Sequence, residues 1–146
     1  MTQFRDRADA GLRLSEVLAT RGEWTDAVVV AIEPTAGPVA EVVAETLHLE
    51  RFELQAQRVD DGPMLGAVPR IRGRRVIVVD AGVETGAMAH AVAGALRAKA
   101  PVELVLAVPV CPREALATLE LVYDAVIAVD LPMARRSLRW HYASLA

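Results

Sequence analysis

The sequence predicts an α/β protein built on a doubly wound, five-stranded parallel sheet. Four nearly continuous apolar runs of strand length, rich in β-branched residues, are typical of strands buried on both faces. They lie at 27–32, 76–79, 103–110 and 125–129, and a weaker alternating run at 50–57 predicts an edge strand. Segments of helical period separate these runs, and such alternation from end to end indicates a doubly wound fold.

The elements follow in a regular order. Helices are expected where apolar residues recur on one helical face, at 6–20, 39–49, 86–98 and 113–121. Residues 58–75 carry turn signals and predict a surface connection, in which 64–68 is the one candidate for a short strand. With strand order 2-1-3-4-5, the first and third strands are neighbours, and ligands bind where their carboxyl ends open. The loops at 33–37 and 80–87 are therefore the predicted site.

Composition narrows the class of protein. The 146 residues, 53% hydrophobic and 24% charged, predict a single globular domain spanning 1–146. A net charge of −3 argues against a nucleic-acid partner, and no apolar run approaches the ~18 residues of a membrane span. The single cysteine, Cys111, forms no disulfide within the chain, so a cytoplasmic location is expected.

The loop after the third predicted strand suits an anion. It reads Asp80-Ala-Gly82-Val-Glu84-Thr85-Gly86-Ala87 and runs into a predicted helix. Its glycines let backbone N–H groups converge, Thr85 offers a hydroxyl, and a helix N-terminus presents unpaired donors. A phosphate fits these features, and the alternative is an ordinary strand-to-helix turn with Thr85 as the N-cap.

Several segments, in the same order along the chain, resemble segments of one family, the type I phosphoribosyltransferases, and most of all those of its bacterial stand-alone members. The segment 76–88 resembles their signature for phosphoribosyl pyrophosphate (PRPP). Residues 4–11, Phe-Arg-Asp-Arg-Ala-Asp-Ala-Gly, resemble the family's opening segment, and 108–116 are similar to the segment after its fourth core strand. Pro34-Thr35-Ala36-Gly37 stands where the family binds pyrophosphate.

The resemblance implies a role for each matching position. Asp80 would contact a ribose hydroxyl as the catalytic carboxylate, and the 5′-phosphate would bind at Gly82, Thr85, Gly86 and Ala87. The loop Pro34, Thr35, Ala36 and Gly37 would face pyrophosphate, with no metal site of the protein's own. Magnesium would enter with PRPP, the partner would be a phosphorylated ribose ligand, and a homodimer is expected.

Three departures from the family pattern bear on activity. Ala81 replaces a second acid, and Glu84 places a negative charge in a loop meant for phosphate, where like charges at about 4–6 Å cost of order 1–4 kcal/mol. The hood that covers the site in this family has only residues 58–75 to form it. We therefore expect a phosphoribosyltransferase relative, a pentosyltransferase of nucleotide metabolism, whose transfer to a nitrogenous acceptor is weak or lost. The alternative is a non-catalytic ligand-binding or protein-interaction module.

Two further features have alternative interpretations. The basic and aromatic C-terminal residues 135–142 predict packing or a subunit contact, with stacking on a base as the alternative. A receiver domain with Asp80 as phosphoacceptor is disfavoured, because no acidic pair follows the first strand and no lysine follows the last.

Overall fold

A computed structural model describes residues 3–146 and contains six strands and five helices over that range. The strands are β1 (Ala27–Glu33), β2 (Glu50–Val59), β3 (Gly62–Leu65), β4 (Arg75–Val79), β5 (Glu103–Val110) and β6 (Ala125–Asp130). The helices are α1 (Arg7–Arg21), α2 (Pro38–Leu47), α3 (Ala87–Arg97), α4 (Arg113–Leu119) and α5 (Leu138–His141). No helix within 3–146 is long and apolar enough to cross a membrane.

The strands form one sheet in the order β3-β2-β1-β4-β5-β6. Five of them are parallel in the predicted order 2-1-3-4-5, and β1 lies directly beside β4, with Ala31 opposite Val79. The predicted juxtaposition of the two loops after these strands is therefore confirmed.

The sheet differs from the prediction at one edge. β3 is a sixth strand that pairs antiparallel with the outer half of β2, from Ala56 opposite Leu65 to Val59 opposite Gly62. The short strand considered at 64–68 thus forms slightly earlier, and β2 is an edge strand only over its first half. A tight turn at Asp60 and Asp61 makes this possible, because it folds the chain straight back on itself.

Helices cover both faces of the sheet, as expected for a doubly wound fold. One apolar cluster joins α1 and α2 to Val29, Ile77, Val79 and Val105, and the other joins α3 and α4 to Val28, Val78, Leu104 and Leu106. Successive strand residues enter opposite clusters because their side chains alternate across the sheet.

The C-terminal segment, defined here as residues 131–146, returns to the start of the chain. Its short helix α5 precedes Tyr142, which forms a bridge with Phe4. The Phe4 N–H donates to His141 O at 2.8 Å, and the Ala143 N–H donates to Phe4 O at 2.7 Å. Tyr142 is buried, as the predicted packing requires, whereas Trp140 and the three arginines of 135–142 are exposed.

Candidate functional site

A pocket of about 230 Å³ opens where the loops after β1 and β4 meet. Its base is apolar, and polar groups of the two loops lie at its rim. Its lining residues include Ile32, Thr35, Ala56, Gln57, Arg58, Asp80, Gly82, Val83, Glu84, Thr85, Gly86, Met88, Leu106, Val108 and Leu138. A concave, mostly apolar site with a few convergent polar groups at a switch point is the expected form of a ligand site.

Asp80 joins the two loops. Its Oδ1 accepts hydrogen bonds from the Thr35 hydroxyl at 2.5 Å and from the Ala81 N–H at 2.7 Å. Thr35 Oγ1 also lies 3.3 Å from Ile32 O, but its single proton goes to the shorter contact. Asp80 Oδ2 accepts no hydrogen bond from residues 3–146, so one carboxylate oxygen of a pocket-lining residue is left for a ligand.

Burial raises the pKa of Asp80 to about 7, and the nearby Glu33 carboxylate adds to the shift. The hydrogen bonds from Thr35 and Ala81 oppose it because they favour the charged form. Since the folded-state pKa lies above the unfolded value of 3.8, the folded state holds the proton more tightly. The stabilisation of the folded state by the protonated Asp80 carboxyl is complete below about pH 4 and is lost as the pH rises to 7.

We therefore expect the free energy of unfolding to fall by about 2 to 3 kcal/mol between pH 5 and pH 8 on account of Asp80. Asp80→Asn keeps the acceptor oxygen without the charge and should remove this loss. Urea unfolding at the two pH values measures it, with exposed Asp60→Asn as the matched control. An Asp80→Asn profile identical to wild type would contradict the shifted pKa.

The loop between β4 and α3 presents unpaired donors to the pocket. The N–H groups of Glu84, Thr85 and Gly86 donate to no acceptor within residues 3–146. Gly86 is the N-cap of α3 at φ 93°, a conformation that favours glycine, and it has no side-chain cap. Thr85 Oγ1 accepts a hydrogen bond from the Ala87 N–H at 3.2 Å, but the N-cap is Gly86 and not Thr85 as the alternative interpretation had it. Three free N–H groups and a helix N-terminus together favour an anion.

The loop 34–37 offers fewer free donors. The Ala36 N–H donates to Ile32 O at 2.8 Å, and the Gly37 N–H donates to the Glu33 carboxylate at 2.8 Å. Pro34 has no N–H, which leaves the Thr35 N–H as the donor without a protein partner in the described chain. A negative side chain thus already occupies part of the position where the resemblance implies pyrophosphate.

Arg7 supports this loop from α1. Its guanidinium donates to Thr35 O at 3.1 Å, and a Cβ added at Gly37 would lie 2.9 Å from Arg7 Nη1. Glu33 is also paired with Arg51 at 3.7 Å. The loop is therefore held by internal charges of both signs.

Ala81 and Glu84 both contact the C-terminal segment. Ala81 is 3% exposed and packs in the cluster of α1 and α2. Its carbonyl accepts a hydrogen bond from the Tyr142 hydroxyl at 2.7 Å. The Glu84 carboxylate accepts the Leu138 N–H at 3.0 Å. The position of the expected second acid thus faces away from the pocket, and Glu84 is bound at the rim.

Several lining residues lie outside the predicted loops 33–37 and 80–87, among them Gln57, Arg58 and Leu138. Gln57 and Arg58 belong to β2. Gln57 lies on the polar half of its alternation, which is a weak signal, whereas the adjacent Arg58 lies on the other half and follows the predicted strand 50–57. Leu138 carried none, because it reaches the pocket from 54 residues beyond Glu84. Cys111 is buried, and no cluster of three or more His, Cys, Asp or Glu side chains within 3–146 is arranged to hold a metal.

No protein-family model matches the chain. Among solved structures, TT1426 from Thermus thermophilus is 24% identical with a TM-score of 0.85, over 99% of this chain and 92% of that one. A purine phosphoribosyltransferase from Pyrococcus horikoshii Ot3 is 16% identical, with a TM-score of 0.66, over 84% and 81% of the two chains. A hypoxanthine-guanine phosphoribosyltransferase from Bacillus anthracis is 14% identical, with a TM-score of 0.66, over 91% and 83%. These likenesses show that the chain has the type I phosphoribosyltransferase fold.

Proposed function

We propose that the protein binds a phosphorylated ribose ligand, PRPP or a ribose 5-phosphate group, in the pocket between β1 and β4. The 5′-phosphate lies on the free N–H groups of Glu84, Thr85 and Gly86, with Gly82 and Ala87 at either side. Asp80 Oδ2 accepts a hydrogen bond from a ribose hydroxyl. Transfer of the phosphoribosyl group to a nitrogenous acceptor is slow or lost.

One observation carries this proposal: an unpaired helix N-terminus and a free carboxylate oxygen line the same pocket. A phosphate needs N–H donors, and a sugar hydroxyl needs an acceptor. A pentose 5-phosphate presents both groups on one small molecule. The fold supports the same ligand, because two solved neighbours are named as phosphoribosyltransferases.

Magnesium enters this proposal with the ligand. Mg²⁺ commonly binds through one or two carboxylates together with substrate phosphates. The one free oxygen of Asp80 is assigned to the ribose hydroxyl, and Glu33 is engaged by Gly37 and Arg51. The pyrophosphate of PRPP would therefore provide most of the ligands, and the ion would arrive as part of the substrate.

A non-catalytic ligand-binding module is the second candidate, and the loop 34–37 favours it. Its two inner N–H groups donate within the protein, and Glu33 lies where a leaving pyrophosphate would need positive charge. Under either candidate we infer a cytoplasmic protein that forms a homodimer. Sedimentation equilibrium tests the dimer.

Ribose 5-phosphate binding tests the proposal. We expect Asp80→Asn to weaken binding by about tenfold or more, because a charged acceptor of a ligand hydroxyl is replaced by a neutral one. Wild-type affinity should also rise more between pH 6 and pH 8 than that of the variant, because Asp80 ionises in this range in addition to the ligand's phosphate. Calorimetric titration at pH 6 and pH 8 measures both effects.

Two controls make the result specific. Asp60→Asn, in the exposed turn between β2 and β3, should bind like wild type. Ribose without its phosphate should bind far more weakly than ribose 5-phosphate, since it lacks the group that the α3 N-terminus holds. Equal binding by wild type and Asp80→Asn would contradict the proposed role of Asp80.

A further inference from the structure

The C-terminal segment contacts the site loop at three successive places. The Tyr142 hydroxyl donates to Ala81 O, and the Glu84 carboxylate accepts the Leu138 N–H. Between them, the Leu138 side chain lies so close to Gly82 that a Cβ added there would be 2.6 Å from Leu138 Cδ2. Two of these loop positions, Ala81 and Glu84, are the ones that depart from the phosphoribosyltransferase pattern.

These contacts place Leu138 in the pocket wall. The other described lining residues belong to the sheet, to α3 or to the loops that follow β1 and β4, and Leu138 alone among them comes from the C-terminal segment. Its helix α5 has four residues and no side-chain cap at Ser137. The Leu138 N–H is instead satisfied by Glu84, so that hydrogen bond fixes where the helix begins.

The wall leaves a small pocket. Its volume of about 230 Å³ is below the ~300–1,000 Å³ that ligand pockets for drug-sized molecules span. A pentose 5-phosphate is small enough for such a pocket, whereas a nucleoside monophosphate carries a base in addition. The Leu138 side chain lies against Gly82 and closes the pocket on that side.

We propose that Leu138 is a size-limiting residue, held in place by Glu84 and Tyr142, which admits a pentose 5-phosphate and excludes the base of a nucleoside 5′-monophosphate. Glu84 acts through Leu138 and is a positioning residue. The choice of ligand rests on the proposed function, whereas the attachment of α5 by Glu84 does not.

The binding test uses ribose 5-phosphate and AMP, titrated into wild type, Leu138→Ala and Leu145→Ala. Leu145 is an exposed leucine of the same segment outside the pocket and is the matched control. We expect wild type to prefer ribose 5-phosphate by at least about tenfold, Leu138→Ala to reduce the preference to about threefold or less, and Leu145→Ala to keep it. An unchanged preference in Leu138→Ala, or equal wild-type binding of both ligands, would overturn the size limit.

Glu84 is tested by a pair of variants. Glu84→Gln keeps an oxygen that accepts the Leu138 N–H, and Glu84→Ala does not. Amide exchange measured by NMR should speed up at Leu138 by about tenfold or more in Glu84→Ala and by about threefold or less in Glu84→Gln. Glu84→Ala should also lose ligand preference as Leu138→Ala does, while Glu84→Gln keeps it.

The outcomes separate the two proposals. If no form of the protein binds either ligand, the proposed function and the size limit are both wrong, and amide exchange still decides the attachment of α5. If ribose 5-phosphate binds and the preference does not respond to Leu138→Ala, the function stands and the size limit falls. Equal exchange at Leu138 in both Glu84 variants would overturn the positioning role.

Discussion

Mixed with PRPP, magnesium and any common purine or pyrimidine base, the protein should form nucleoside monophosphate no faster than about 0.001 per second. Ordinary enzymes turn over at about 1 per second or more, so the expected deficit is roughly a thousandfold or greater. Chromatography of the product and release of pyrophosphate both measure it. A purine phosphoribosyltransferase run alongside is the positive control.

The physical reason lies in what surrounds Asp80. Transfer needs a preorganised, water-excluding site, and the chain between β2 and β4 supplies only the β2–β3 hairpin and residues 66–74. The loop 34–37 donates most of its N–H groups internally and has Glu33 beside it, so a leaving pyrophosphate gains little stabilisation there. Turnover near 1 per second would contradict this prediction, and a second copy that covers the pocket would then be the first explanation to test.

The fold was predictable because the buried strands are long apolar runs. Each predicted strand of the parallel sheet is present, and the placement of β1 beside β4 followed from their alternation with helices. β3 was less predictable, since none of its four residues is buried and they pair along one side only. α5 was not predicted at all. Four residues are too few to show a helical period, and its first N–H donates a hydrogen bond to Glu84, which is far away in sequence.

The location of the site was predictable, whereas the directions in which its side chains point were only partly predictable. Strand alternation places Val78 and Asp80 on the side of the sheet covered by α3, and Val79 and Ala81 on the side covered by α1. That period of two was readable from the sequence and predicts that neighbouring residues after β4 face opposite ways. The contacts of Tyr142 and Leu138 were not readable, because they join the loop to the chain's far end.

Ala81→Asp should destabilise the protein by about 3 kcal/mol and lower its Tm by about 10 °C. The new carboxylate would lie in the apolar cluster of α1 and α2, at a position that is 3% exposed. The transfer of a charge from water into an apolar cluster is one of the few mechanisms that produce an effect of this size. Thermal unfolding measures it, and Ala81→Ser is the control that changes the volume little and adds no charge.

Adding Ala81→Asp to Glu84→Gln should not improve ribose 5-phosphate binding, although sequence resemblance alone assigns position 81 to the ribose. Glu84→Gln removes a like charge from the pocket rim and keeps the Leu138 contact, so it should bind the phosphate about tenfold more tightly. The double variant should gain no more than that, because Ala81 does not line the pocket. Titration of wild type, both single variants and the double variant at fixed salt completes the cycle. A double variant that binds clearly more tightly than Glu84→Gln would show that the residue 81 side chain turns toward the ligand. Positions 80 and 81 would then be the two ribose-binding acidic positions of the family pattern, of which this protein keeps only Asp80.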